Sequence, residues 1–505
     1  MRGGRRSNFL TCIGESTVGR VIRVSRNRAT KVIMSSIGKL MNRMVQKIAI
    51  IILAGISLVV GRHAWSAEVS KPNVILILAD DLGAKELACY GSSQHQTPQL
   101  DKMAAEGLRF ETFYAMPLCT PTRVCLMTGQ YGFRNGYLGM ANKAYVPLPG
   151  SPQQAIGNHF THADLMKSAG YATAMAGKWQ LSGQLPTLIH DAGFDEYRMW
   201  AYDYNLPAGV KHPAHEGGKG SNTSRYWHPS IVENGKYLPT QATDFGPDLF
   251  NDFVLDFAKR HAHEPFFVYY TSVLTHGPRV ETPDPTQPGQ RRPAGLKSNL
   301  EYLDYLMGKL LAGLKELKLD ERTVVIFVGD NGTAGEGKGT ATELGARVPC
   351  IIRGPQVLPG RVTSALADLT DIFPTLAELS GATLPEQHKL DGKSLVPLLR
   401  GQVTEHRPWI YSHLDDGRVL RDPRWLMEVP GGGQATRFFD CGSSRDGTGY
   451  RDVSDSREPE VQTARKRLEE VLAKMPQPEP HPLSDRTNPA GTRQSKRATK
   501  PSPSE

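Results

Sequence analysis

Two hydrophobic patterns organise this chain. Short, nearly unbroken apolar runs occur at Lys71 to Gly83 (KPNVILILADDLG), Thr173 to Lys178, Pro265 to Tyr270 (PFFVYY) and Thr323 to Val328 (TVVIFV). Runs of this length without polar alternation predict strands buried on both faces of a parallel sheet. Between them lie helical patterns. Leu300, Leu303, Leu306, Leu310, Leu314 and Leu317 recur at three and four, one apolar face of a helix. Thr97-Pro98 opens a shorter helix that closes before Gly107, and Ala464 to Met475 forms a late one. Alternating strands and helices predict an α/β sheet covered on both sides. The span from Trp200 to Thr243 is rich in Gly, His, Pro and Trp, lacks periodicity, and reads as an elaborated loop region. After Gly401 the sheet pattern weakens, and from Pro476 the composition predicts disorder.

The net charge of +9 suggests a polyanion partner until it is located. Residues 1–67 carry twelve Lys/Arg and one acid, which leaves 48 bases against 50 acids in the remainder. The basicity is terminal, so no nucleic-acid partner is expected. Residues 41–67 read as a signal peptide: Arg43 and Lys47, then the apolar run Ile48 to Val60, then small residues at Ala64 and Ala67. That run is too short for a comfortable membrane span, so export to the periplasm or medium without a stable anchor is expected. Residues 1–40 are an extension ahead of it, and translation from Met34 or Met41 would account for them. Five Cys follow position 67, namely Cys89, Cys119, Cys125, Cys350 and Cys441; their spacing shows no zinc pattern and leaves pairing open.

The candidate chemistry sits where the strands end. Asp80-Asp81 follows the first buried strand and Asp330-Asn331 follows another. Ligands of open α/β sheets bind beyond the carboxyl ends of strands. If the two strands are parallel neighbours, these side chains converge, and a divalent cation relieves the repulsion among three carboxylates. All-oxygen donors favour Ca²⁺ or Mg²⁺ over zinc. Taken singly, Asp-Asp could cap a helix and Asp-Asn-Gly could make a turn. Lys178 and His276 also follow strands, and Lys338 comes soon after Asn331. Such groups can hold the non-bridging oxygens of an anionic ester and protonate its leaving oxygen. Cys119 to Gly129 (CTPTRVCLMTG) reads as a helix start, with Thr120 as cap and Pro121 at the first helical position.

The pentapeptide Cys119-Thr120-Pro121-Thr122-Arg123 resembles the sulfatase signature. The spans NVILILADDLG, TPQLDKMAAEGLRF, CTPTRVCLMTG, AGKWQL, FFVYYTSVLTH, VIFVGDNG and KGTATELGARVP follow in that family's order over residues 71–355. DLTDIFPTLAELSG and Asp391 to Leu395 resemble the segments that close its large domain. The resemblance implies an alkaline-phosphatase-like fold: a mixed, mostly parallel sheet sandwiched by helices, with a smaller C-terminal α+β subdomain. It implies a catalytic domain over 68–400 and a subdomain over 401–475, beyond which composition leaves a tail over 476–505. It further implies that a maturation enzyme oxidises Cys119 to formylglycine, whose hydrate attacks the sulfur of a sulfate ester. Asp80, Asp81, Asp330 and Asn331 would hold Ca²⁺ (Mg²⁺ being the alternative) together with the converted Cys119. Arg123 would orient the hydrate, and Lys178 and Lys338 would hold the sulfate. His276 would contact the sulfate or protonate the leaving alcohol. Gln180 stands where the family usually has His, and a Gln cannot titrate. Sulfated carbohydrates or small sulfate esters are the implied substrates. Two alternatives are a phosphodiester or phosphonate hydrolase of the same superfamily and a non-catalytic binder of sulfated glycans. Asp203, His212, His215, Trp227 and His228 are candidate pocket residues in the 200–243 segment.

Overall fold

A computed structural model of the chain describes residues 71–139, 156–181, 187–202, 206–211 and 223–475. The leader, the extension ahead of it, the tail, Asp203, His212 and His215 lie outside the described residues. Ten strands form the main sheet: β1 (Asn73–Ala79), β2 (Leu108–Phe110), β3 (Ala172–Lys178), β4 (Glu196–Trp200), β5 (Ile231–Glu233), β6 (Lys236–Leu238), β7 (Phe266–Ser272), β8 (Thr323–Gly329), β9 (Cys350–Arg353) and β10 (Arg361–Thr363). Their order is β10-β2-β9-β8-β1-β7-β3-β4-β5-β6. The central five, β8, β1, β7, β3 and β4, run parallel, which explains their continuous apolar runs.

The period of two decides which residue faces which layer. Val74, Leu76 and Leu78 enter one core, while Ile75, Ile77 and Ala79 enter the other. The second core is closed by α1 (Pro98–Ala105), α4 (Gly246–Arg260) and α5 (Leu296–Glu316), the last through Leu300, Leu303, Leu306, Leu310 and Leu314. The first is closed by α2 (Cys119–Thr128), α3 (His162–Ser168) and α6 (Ile372–Ser380). Both faces of the sheet are therefore covered.

Beyond Gly401 the structure is more regular than the apolar pattern predicts. Five antiparallel strands, β11 (Ile410–Leu414), β12 (Gly417–Arg421), β13 (Trp425–Val429), β14 (Arg437–Asp440) and β15 (Arg451–Asp452), form a meander. Arg and Asp interrupt these strands and blur the apolar signal: Arg421 is buried but meets Glu343 at 2.6 Å. The last helix, α7 (Pro459–Lys474), begins five residues before the expected Ala464, with Pro459 in its first turn. Tyr411, Leu420, Trp425, Met427, Phe438 and Leu468 join the first core of the main sheet, so meander and helix share its interior. The Trp200–Thr243 span, expected as loop, contributes the edge strands β5 and β6.

Candidate active site

Parallel register brings the site together. β8 and β1 pair with Gly329 opposite Ala79, so Asp330-Asn331 and Asp80-Asp81 leave adjacent strand ends. β7 lies on the other side of β1 and leads to His276, and β3 follows it and ends at Lys178. Four neighbouring carboxyl ends thus supply six of the ten residues assigned from the sequence to catalysis or metal binding. At Gly177 φ is +101°, and a Cβ there would lie 2.0 Å from the Thr271 carbonyl oxygen of β7. Only glycine fits that approach, and the next residue is Lys178.

α2 delivers the signature. Leu118 caps it and Cys119 is its first residue, so the helix begins earlier than a cap at Thr120 predicts. Thr122 donates its hydroxyl to the carbonyl of Asp330 at 2.6 Å and receives the amide of Met116 at 3.1 Å, locking the helix start to the end of β8. Cys119 is buried and within electrostatic range of Arg123, Lys178 and Lys338. Lys338 sits on a glycine-rich loop that closes against the same place: Gly339 donates to the carbonyl of Pro117 at 2.7 Å.

The charges interlock. Lys178 Nζ lies 2.6 Å from Asp80 Oδ2, and both side chains are almost fully buried. Arg123 Nη2 lies 3.6 Å from Asp80 and from Asp330, while its Nη1 donates to the Lys178 carbonyl at 2.8 Å. Lys338 Nζ is 2.6 Å from Asp81 Oδ1, and His276 Nε2 is 3.9 Å from Asp81 Oδ2. Burial pushes the Asp80 carboxyl up, but the charges of Lys178, Arg123 and Lys338 outweigh it and hold the group well below the usual range. Asp330 moves the other way, raised by burial and then by the charges of Asp80 and Asp81. Burial first, and then Lys178, push His276 down to about 2, so it is neutral at ordinary pH.

These cations already offset the carboxylates, so repulsion alone does not call for a metal. A different observation fits one. Asp80 Oδ1, Asp330 Oδ2 and Asn331 Oδ1 are buried acceptors without a hydrogen bond, and Asp80 Oδ2 touches Lys178 only outside hydrogen-bond geometry. Orphaned buried oxygens of this kind suit a hard cation. Asp80, Asp81 and His276 also present ligand atoms within 4.8 Å of one another among the described residues.

Gln180 is buried two residues beyond Lys178, at φ +53°. Asp81, at φ +60°, is likewise held in a conformation that side chains rarely adopt, and the two lie at the same end of the sheet. Trp227 is engaged away from the cluster: its Nε1 donates to the Glu281 carbonyl at 2.8 Å and Arg291 covers its ring at 3.7 Å. His228 donates its amide to the Asp244 carbonyl at 3.0 Å. One residue of the site escaped the sequence reading. Arg225 Nη1 is 2.9 Å from His276 Nδ1. Its only signal was an Arg in the Trp-rich, aperiodic 200–243 segment.

Comparison with known proteins bears on the family and the fold. The family model described as Sulfatase matches residues 72–382. Human arylsulfatase A is 34% identical over 425 residues, covering 78% of this chain and 80% of its own. Human N-acetylgalactosamine-6-sulfatase is 33% identical over 372 residues, 67% of this chain and 68% of its own. A sulfatase structure from Pseudoalteromonas sp., PsFucS1, superposes with a TM-score of 0.63 over 82% of this chain and 92% of its own, at 23% identity.

Proposed function

The chain belongs to the sulfatase family, and from that premise we propose that it hydrolyses sulfate esters through a formylglycine hydrate made from Cys119 beside a bound divalent cation. The observation that carries this reading is the set of orphaned oxygens on Asp80, Asp330 and Asn331, interleaved with Lys178 and Arg123 at the helix start that bears Cys119. Asp80, Asp81, Asp330 and Asn331 would hold the cation, and all-oxygen donors favour Ca²⁺ over a thiophilic metal. When present, the cation supplies positive charge at a sulfate oxygen. The hydrate supplies one hydroxyl that attacks sulfur and a second whose loss of a proton re-forms the aldehyde and frees sulfate.

The chain's own residues do the rest. Arg123 keeps Nε and Nη2 without hydrogen bonds in its buried position, donors that can orient the group at Cys119 one turn earlier. Lys178 and Lys338 stay charged, since Asp80 and Asp81 outweigh the burial that would discharge them. They neutralise non-bridging oxygens as charge builds in the transition state. Neutral His276 carries one N–H to offer the leaving oxygen. Gln180 can hydrogen-bond the group at Cys119 but cannot take its proton, so a neighbouring base or water does.

The substrate class we propose is a sulfated carbohydrate or aryl sulfate, in line with the names of the two human relatives. Export through the 41–67 leader would bring the enzyme to such polymers. No helix among the described residues is long and apolar enough to cross a membrane. The test is a side-by-side assay of aryl sulfate and aryl phosphodiester with protein made alongside a maturation enzyme. A higher kcat/KM on sulfate is expected; a phosphodiester rate equal to it or above it overturns the assignment.

A further inference from the structure

The chain beyond β4 brings a buried cation to the site that the signature residues do not account for. Trp200 ends β4, and its Nε1 donates to Thr223 Oγ1 at 3.1 Å, which in turn donates to the Ala201 carbonyl at 2.7 Å. This fixes the ring on which Arg225 rests, with its guanidinium 4.0 Å from the ring centroid. Arg225 is 5% exposed. The next residue grips the same target: Tyr226 shares its one hydroxyl proton between the Val273 carbonyl, at 3.0 Å, and the carbonyl of His276. Two consecutive residues thus hold the His276 loop, one by its ring and one by its backbone.

A guanidinium has only donors and keeps its proton. A hydrogen bond from Arg225 therefore requires a bare lone pair on His276 Nδ1. The imidazole proton must then be on Nε2, the nitrogen that faces the acidic cluster. The Gly277 carbonyl, 2.5 Å from the same Nδ1, favours the opposite tautomer. It belongs to the adjacent residue and is held there by chain connectivity, whereas the charged donor is the stronger partner.

We infer that Arg225 is a positioning residue that fixes His276 in its Nε2–H tautomer, so that the imidazole offers a donor to the substrate's leaving oxygen and not a lone pair to a cation. This rests on the sulfate ester reading of the site. It divides the cluster, leaving cation binding to the oxygens of Asp80, Asp81, Asp330 and Asn331 and assigning His276 to substrate. It also gives the 200–243 segment a part in the chemistry.

Two measurements test it. Nitrogen NMR of histidine-labelled, calcium-loaded wild type should show His276 protonated at Nε2; an Nδ1–H form overturns the inference, whether or not the protein turns over any sulfate ester. A mutant cycle on matured enzyme then follows Arg225→Met, Arg225→Lys, His276→Gln and the Met/Gln double on aryl sulfate. Arg225→Met should lower kcat about 10²-fold, with little change in KM, since it acts through a hydrogen bond that stabilises charge on the leaving oxygen. Arg225→Lys should recover about tenfold of that by keeping a charged donor, and thermal unfolding of this variant checks that the fold is intact. The double should be no worse than His276→Gln within about threefold. Single losses that multiply in the double would mean that Arg225 acts independently of His276.

Discussion

Replacing Lys178 with Met separates the two contributions that hold the acidic cluster together. The variant keeps the length and apolar stem of the side chain and removes one charge, 2.6 Å from Asp80 Oδ2. Lys178 is 1% exposed and Asp80 is fully buried, so water cannot replace the lost partner. Breaking a buried ion pair from one side costs about 3–5 kcal/mol. Arg123, 3.6 Å from the same oxygen, remains and offsets part of that, so the lower end, about 3 kcal/mol, is expected without metal. A cation bound to Asp80 takes over the neutralisation, and the cost should then fall below about 1 kcal/mol. Urea unfolding of wild type and Lys178→Met, in EDTA and in millimolar calcium, reads both values. Turnover in calcium should drop by about 10³-fold, because the sulfate loses a fixed cation. Equal destabilisation in EDTA and calcium would refute the claim that Asp80 is a cation ligand. A loss under about 1 kcal/mol in EDTA would refute the buried pair itself.

Two further outcomes follow from other residues. His162 is fully buried at the start of α3, edge-on to Phe194, Phe267 and Tyr269, and burial alone pushes it down to about 3. Its folded pKa lies below the unfolded value of about 6.5, so the unfolded chain binds the extra proton, and stability present above that pH is lost as pH falls toward 3, by about 2 kcal/mol at pH 5. His162→Phe should shrink the stability difference between neutral pH and pH 5 by that amount in urea titrations; an unchanged difference would show that His162 is not the sensor. Gln180 lies at φ +53°, a conformation His tolerates, so Gln180→His should fold normally and add a titrating limb to the pH–rate profile. A profile identical to wild type would show that position 180 does not take part in the proton transfer.

Much of the site was legible because its residues follow apolar runs directly. Asp80-Asp81, Lys178, His276 and Asp330-Asn331 each stand at or just past a buried strand, and a parallel sheet delivers such positions to one edge. What the chain could not reveal alone was adjacency: that β8, β1, β7 and β3 are consecutive neighbours depends on register and crossovers. Arg225 was missed because nothing periodic marks it. Its place is set by the Trp200 ring and by the hydrogen bond that fixes that ring to Thr223, both tertiary facts. The C-terminal meander was hidden for another reason. Its buried polar residues break the apolar alternation on which strand recognition depends: Arg421 pairs with Glu343, His413 accepts the amide of Gly132, and Glu428 pairs with Arg437. The electrostatic case for a metal also changed: the carboxylates are already countered by Lys and Arg, and the unsatisfied oxygens now carry it.

The account turns on the side chain at position 119. Mass spectrometry of the tryptic peptide Phe110 to Arg123, from enzyme produced with a maturation enzyme and active on aryl sulfate, tests it most directly. The prediction is a peptide in which one oxygen has replaced the sulfur and two hydrogens of Cys119, in proportion to specific activity across preparations. Full activity in a preparation whose Cys119 remains an unmodified thiol would contradict it.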